Sequence, residues 1–354
     1  MMKDVGIEEA LRLERAVLVD VRSPGEFTQE HIPGAVNIPL FSDEERAEVG
    51  TAYKQIGPGA ARFRGLAHVG PKLYGLVSEI AELSKDRTPV LYCWRGGERS
   101  QAIAQILDLM RISGYRITGG YKAYRQYVLA RLQQHPTCDV AVVHGLTGVG
   151  KTDLLNALRG QGMPAIDLEG LANHRGSVFG GVGLGEQPGQ KCFDSLLLGE
   201  LEQFDQYGLI LVESESRRIG RVYLPDRLYE KMKTGHHVLV YDQFENRVDR
   251  LYREYTADGA VLDVDGLERC LKGIQSHLGK KKHQEMLAML QAGDIRTLIS
   301  LLLSDYYDPL YGYPQGQDPA YDLCIDMSAE KAAIKAMSAW VDELAKGGRR
   351  IGLR

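Results

Sequence analysis

Cysteine is scarce in this chain of 354 residues, and long apolar runs are missing altogether. The five cysteines are Cys93, Cys138, Cys192, Cys270 and Cys324. Their number is odd and no two form a CxxC pair, which argues against a disulfide framework and against a structural zinc site. No stretch of 18 apolar residues occurs, so no membrane-spanning helix is expected. The opening MMKDVGIEEALRLE carries charge where a signal peptide has its apolar core, so a cytoplasmic protein with reduced thiols is expected. A basic excess is missing too. The net charge is −4, so a nucleic-acid partner has to meet a local basic face rather than the whole molecule. There is no internal repeat, and the one glycine-rich stretch is GSVFGGVGLGEQPGQ (176–190), a length of loop that is usually mobile or functional.

What is present fits a soluble globular chain, with 44% hydrophobic and 25% charged residues. Its length exceeds one ordinary core and implies two domains. Strands are expected at AVLVDVR (16–22), AVNIPL (35–40), TPVLYC (88–93) and the start of YRITGG (115–120), with helices at 43–56, 73–85 and 98–114. HPTCD (135–139) reads as a hinge, which places domains at 1–134 and 135–354. After it the pattern restarts, with strands VAVVHG, PAIDLEG, YGLILVES and GHHVLVYD and a mostly helical last part. Alternation of this kind implies α/β layers on parallel sheets.

CWRGGERS (93–100) closes the TPVLYC strand and opens a helix. Amides of such a loop and first helical turn form an anion nest, and Arg99 adds a fixed charge. Both favour the thiolate of Cys93, which ordinarily is only a few per cent ionised at pH 7. Gly96 and Gly97 are expected to let the backbone turn without a Cβ clash. A buried structural cysteine is the bland alternative. The spacing Cys-x5-Arg serves cysteine phosphatases and sulfur-group transfer alike. VDVRSPGEFTQEHIPGAVNIP (19–39), through Asp20, Arg22, Glu26, His31, Ile32, Pro33 and Gly34, resembles the opening of a rhodanese domain. No general-acid aspartate is evident, so chalcogen transfer is favoured.

GLTGVGKT (145–152) fits GxxxxGK[ST] between a strand and a helix, the context a phosphate loop requires. Gly145, Thr147, Gly148 and Gly150 shape the cradle. Lys151 is expected to reach between two phosphates, and Thr152 to hold Mg²⁺. Glu213, at the end of LILVE, is a candidate metal carboxylate, and Glu215 lies two residues on. Arg217 and Arg218 in ESRRIGR suit oxyanions, because guanidinium forks bind them bidentately. His174 in HRGS reads as structural. Arg247, Arg250 and Arg253 recur at i, i+3, i+6, and Lys280, Lys281 and Lys282 follow, which makes a candidate RNA-phosphate surface. The tyrosines of SDYYDPLYGYP (304–314) stack bases or pack a loop.

In this order, CWRGGERS, GLTGVGKT, LANHRGSVFG, VESESRRIG and YYDPLY resemble the tRNA 2-selenouridine synthases over nearly the whole chain. The resemblance implies a rhodanese-like domain fused to a P-loop domain. It implies replacement of the sulfur of wobble 2-thiouridine in tRNA by selenium from selenophosphate, with geranyl diphosphate supplying an S-geranyl intermediate. It implies selenium handling by Cys93 with Arg95 and Arg99, and a diphosphate held by Lys151, Thr152, Arg217 and Arg218. Whether ATP binds is left open, as is the oligomeric state. A small-molecule kinase with a rhodanese regulatory domain is the competing expectation, and a non-catalytic sulfur-carrier or RNA-binding module the third.

Overall fold

Strand β4 (Thr88–Tyr92) is apolar on both sides, and Val90, Leu91 and Tyr92 are fully buried. Such a run fits the middle of a parallel sheet covered on both faces. The structure, a computed structural model, describes residues 1–256 and 263–348. It divides into two compact units, Met1–Arg131 and Leu132–Arg354.

In the first unit β1 (Met2–Val5), β2 (Ala16–Asp20), β3 (Val36–Asn37), β4 and β5 (Gly114–Ile117) form one sheet. The order is β1-β5-β4-β2-β3 and every pairing is parallel. Val17, Val19, Ile80, Leu91, Ile103 and Leu107 are among the residues that fill its core. All five strands therefore point their carboxyl ends the same way, the side on which α/β folds place ligands. The sequence reading missed β1 and helix Pro58–Val69, and also the short helices Ile7–Leu11 and Pro24–Gln29. β1 is a four-residue edge strand with two exposed polar residues, which gives no apolar run to notice. Helix Pro58–Val69 buries only Ala61 and Gly65 and leaves Phe63 and Leu66 exposed, so its apolar spacing does not mark its inner face.

The second unit has its own five-stranded parallel sheet, in the spatial order Leu323–Asp326, His236–Tyr241, Asp139–His144, Leu209–Glu213 and Ala165–Ile166. Its strands are β6 (Asp139–His144), β7 (Ala165–Ile166), β8 (Leu209–Glu213), β11 (His236–Tyr241) and β12 (Leu323–Asp326). A small antiparallel ribbon, β9 (Arg218–Ile219) with β10 (Val222–Tyr223), occupies the arginine-rich segment that reads as a loop in the sequence. Helices Lys151–Gly160 and Glu330–Gly348 cover the sheet around Leu154, Leu158, Ala333 and Met337. A separate helical core gathers Val248, Leu271, Ile274, Met286, Leu298 and Leu303.

Within the segment read as a hinge, residues 137 and 138 are fastened to the second unit. Asp205 accepts from the Thr137 amide and the Cys138 amide, both at 2.8 Å, and from Thr137 Oγ1 at 2.6 Å. Burial alone raises this carboxyl, but those donors outweigh it and hold it at about 2.

Candidate functional site

Cys93 directly follows β4 and is 3% exposed. Its Sγ lies 3.3 Å from Ser100 Oγ and 3.9 Å from the Gly97 carbonyl. The turn depends on Gly96, at φ +64°, where a Cβ would meet the Ile117 carbonyl at 2.6 Å. Gly97 has an ordinary φ of −95° and open space beside it, so the expectation that both glycines are needed is corrected to one. Outside the loop, the Tyr121 and Lys122 amides donate to the carbonyls of Cys93 and Trp94 at 2.8 and 2.9 Å. Arg116, itself paired with Asp4 at 2.8 Å, donates to the Gly96 carbonyl at 2.8 Å. With three carbonyls turned outward, the N–H groups of the same peptide planes point the opposite way, which is how an anion nest forms.

Arg99 is held rather than free. It forks onto Glu26 at 2.6 and 3.2 Å, and Glu26 in turn caps helix Pro24–Gln29 with Ser23. Burial pushes the Glu26 carboxyl up, but Arg99 and Ser23 hold it below the usual range. Much of the Arg99 charge is thus neutralised in place. Arg95 is exposed. Arg22 is fully buried on Asp20 at 2.6 Å, with the rings of Tyr92, Trp94 and Tyr121 around its guanidinium at 4.3 to 5.9 Å.

The phosphate loop links β6 to helix Lys151–Gly160. Gly145, Gly148 and Gly150 all have positive φ, and a Cβ on Gly145 would meet the Val240 carbonyl at 2.2 Å. Lys151 Nζ donates to the Gly145 carbonyl at 3.0 Å, and Thr152 Oγ1 to Glu169 at 3.4 Å. The loop opens onto a cavity of about 800 Å³. One part of its wall is polar: Lys151, Thr152, Asp167, Glu169, Arg175 and Glu215. Another is apolar: Phe179, Leu267, Ile295, Leu298, Leu302 and Leu303. Helix Ile295–Leu302 presents its apolar stripe here, a 3.6-residue spacing legible in IRTLISLL.

Glu213, the expected metal carboxylate, does not line this cavity. It is fully buried and accepts from the Leu168 amide at 2.9 Å. Burial, with Asp167 and Glu169 nearby, lifts its carboxyl well above the usual range. Through the Leu168 amide it positions the turn that follows Asp167. Glu169 and Glu215 stand beside Thr152 instead. They hydrogen-bond to each other, and burial together with Glu169 pushes Glu215 up to about 8. Gly176, at φ +66°, leaves room for them, since a Cβ there would meet Glu215 at 2.5 Å. His174 also lines the cavity. Burial and Arg175 lower its imidazole, keeping it neutral, and Gly180, Gly181 and Gly220 make space around the ring.

The arginines fall differently from the sequence expectation. Arg217 pairs with Asp226, and Arg218 donates to the Gly220 carbonyl at 2.7 Å; both are exposed and neither lines the cavity. Arg247 cannot meet RNA, being 1% exposed. It forks onto Asp308 at 2.5 and 2.9 Å and donates to the Thr147 carbonyl at 2.9 Å. Arg250 grips the Gly148 carbonyl and pairs with Asp242 at 3.0 Å. These two are braces of the phosphate loop. The i, i+3 spacing put them on one face correctly, but nothing local says that the face turns inward. Their partners, Asp242 and Asp308, are elsewhere in the chain. Arg253 is exposed at the cavity, and Lys280, Lys281 and Lys282 are exposed at the start of helix Lys280–Ala292.

Comparison with known proteins bears on both halves. The family described as tRNA 2-selenouridine synthase AAA domain matches residues 138–342, and the rhodanese-like domain family matches residues 7–127. The tRNA 2-selenouridine synthase of Pseudomonas syringae pv. syringae (strain B728a) is 36% identical over 335 residues, covering 86% of this chain and 90% of its own. That of Psychromonas ingrahamii is 35% identical over 338 residues, covering 88% and 91%. That of Nitrosomonas europaea is 40% identical over 262 residues, covering 71% and 67%. With a rhodanese-like unit carrying Cys93 and a P-loop unit carrying Lys151, this chain belongs to the tRNA 2-selenouridine synthase family.

Proposed function

We propose that the chain replaces the sulfur of a wobble 2-thiouridine in tRNA by selenium from selenophosphate, through an S-geranyl intermediate made with geranyl diphosphate. One observation carries the donor assignment: the cavity is a phosphate cradle at one wall and an apolar surface at another. A terpenoid tail gains about 25 cal/mol per Å² against such a surface. The base and ribose of a nucleotide would leave buried polar groups unpaired there, at about 1–3 kcal/mol each.

The chemistry divides into two steps. The thiocarbonyl sulfur attacks C1 of the geranyl group, the C1–O bond breaks and diphosphate leaves, while the ring nitrogen beside the sulfur gives up its proton. Water takes the phosphoryl group of selenophosphate as the P–Se bond breaks, giving phosphate and hydrogenselenide, and the selenide adds to C2 of the pyrimidine, loses its proton and expels the geranylthiolate as the C2–S bond breaks. Loop amides and Lys151 hold the diphosphate, and Arg175, Arg250 and Arg253, which line the cavity, take the place expected of Arg217 and Arg218. Cys93, with the nest and Arg95, handles selenium. Mg²⁺ fits beside the loop, since Thr152, Glu169 and Glu215 offer hard oxygens and Mg²⁺ needs only one or two carboxylates besides phosphate and water. Bound there, it would neutralise the charge developing on the departing diphosphate. Lys280–Lys282 and Arg253 serve the RNA backbone. Three lysines at a helix N-terminus oppose its dipole, a cost that RNA phosphates would offset.

Nucleoside mass spectrometry of 2-thiouridine tRNA tests this. Geranyl diphosphate and Mg²⁺ alone should give the S-geranyl nucleoside, and added selenophosphate should give 2-selenouridine. Unmodified tRNA in both, with turnover of ATP, would establish the kinase reading instead.

A further inference from the structure

Tyr307, Tyr311 and Tyr313 are not used by the chemistry above, yet their rings form a ladder. Tyr307 and Tyr311 are 4° from parallel with centroids 6.1 Å apart, and Tyr311 and Tyr313 are 16° from parallel at 6.3 Å. The inner rung is anchored: Tyr307 is 6% exposed, reaches Ser177 Oγ at 3.2 Å and meets Phe179 edge-on. It closes a π-helical turn, Leu303–Tyr307, a form frequent at functional sites. The middle rung lines the cavity and is also 42% exposed.

Its position is tied to the phosphate loop. Asp308 opens the short helix Asp308–Tyr311, and Arg247 holds Asp308 and the Thr147 carbonyl together. Tyr311 also stands near acid. Burial, and then Glu215, push its phenol up to about 12, so the ring stays uncharged at neutral pH. A flat, partly exposed ring attracts the face of another ring.

We infer that Tyr311 is a stacking platform for an unpaired pyrimidine of the RNA substrate, holding it beside the phosphate loop. The inference rests on the proposed function for the choice of RNA as ligand. Packing of the 304–314 segment alone is the outcome that opposes it.

The test measures affinity for an anticodon stem-loop RNA carrying 2-thiouridine and, separately, for geranyl diphosphate, in Y311A, Y311F and Y311W. Loss of one base stack should weaken RNA binding roughly five- to hundredfold in Y311A. Geranyl diphosphate binding should stay within about twofold, and Y311F and Y311W should restore RNA binding to within about threefold. With 5-iodouridine at the target position, photocrosslinking should mark the peptide containing Tyr311. Unchanged RNA affinity in Y311A, a crosslink elsewhere, or Y311F as damaging as Y311A overturns the platform. If the wild type forms no geranylated nucleoside yet the affinity pattern holds, the chemistry of the proposed function fails and the platform stands.

Discussion

The cysteine loop and the phosphate loop are built alike. Each follows a central parallel strand, opens a helix, and needs glycine at positive φ. Each has carbonyls gripped from outside by an arginine that an aspartate holds in place: Arg116 with Asp4 on Gly96, and Arg247 with Asp308 on Thr147. They differ in the room left on the amide side. Cys93 is almost wholly covered and its sulfur sits against Ser100. The phosphate loop faces about 800 Å³ with an apolar wall. The comparison teaches that a shared loop mechanism sets what charge is bound, while the elements packed around it set how large the ligand is.

The largest effects should separate the two loops. C93A should abolish selenation, by a thousandfold or more in order of magnitude, with S-geranylation within about twofold. K151A should lower geranylation by about a hundredfold. Nucleoside mass spectrometry reads both, and loss of both activities in C93A would break the division. Next come the braces. R247A strands the largely buried Asp308 carboxylate and should cost about 3–5 kcal/mol in denaturant unfolding. R116A acts on a pair whose Asp4 is 58% exposed and should cost about 1 kcal/mol. Equal costs would show that the two braces are not graded by burial.

The glycines sharpen the comparison further. G96A should destabilise by about 2–3 kcal/mol, from strained φ and a clash with backbone, whereas G97A should be within about 0.5 kcal/mol. D205A should cost about 1–3 kcal/mol from amides left unpaired. Its pH signature is distinct. The Asp205 carboxyl is lowered by folding, so its contribution is complete above the ordinary carboxylate value near 4 and is lost as pH falls towards 2. Wild type and D205A should therefore converge in stability over that window.

Much of this was legible beforehand. Both loops, their strands and the parallel α/β class followed from CWRGGERS, GLTGVGKT and the alternation around them. What escaped has a common physical cause: side-chain direction set by distant partners. Arg247 and Arg250 look like a solvated stripe until Asp242 and Asp308 are brought against them. Glu213 looks like a metal ligand until β8 proves to be buried to its last residue. The apolar wall comes from Phe179, Leu267 and helix Ile295–Leu302, which no single stretch announces. Glu169 carried no local signal at all, since only the turn after β7 sets it beside Thr152.

The fastening of residues 137–138 on Asp205 has a mechanical consequence. It lies one residue before β6, the strand that delivers the phosphate loop. Residues 137 and 138 are held by the Asp205 carboxylate at the end of helix Gln190–Phe204 and by Lys231, whose Nζ donates to their carbonyls at 3.1 and 2.6 Å. The fastening works as a strain relief does on a cable, anchoring the chain within the second unit just ahead of the strand that delivers the cradle.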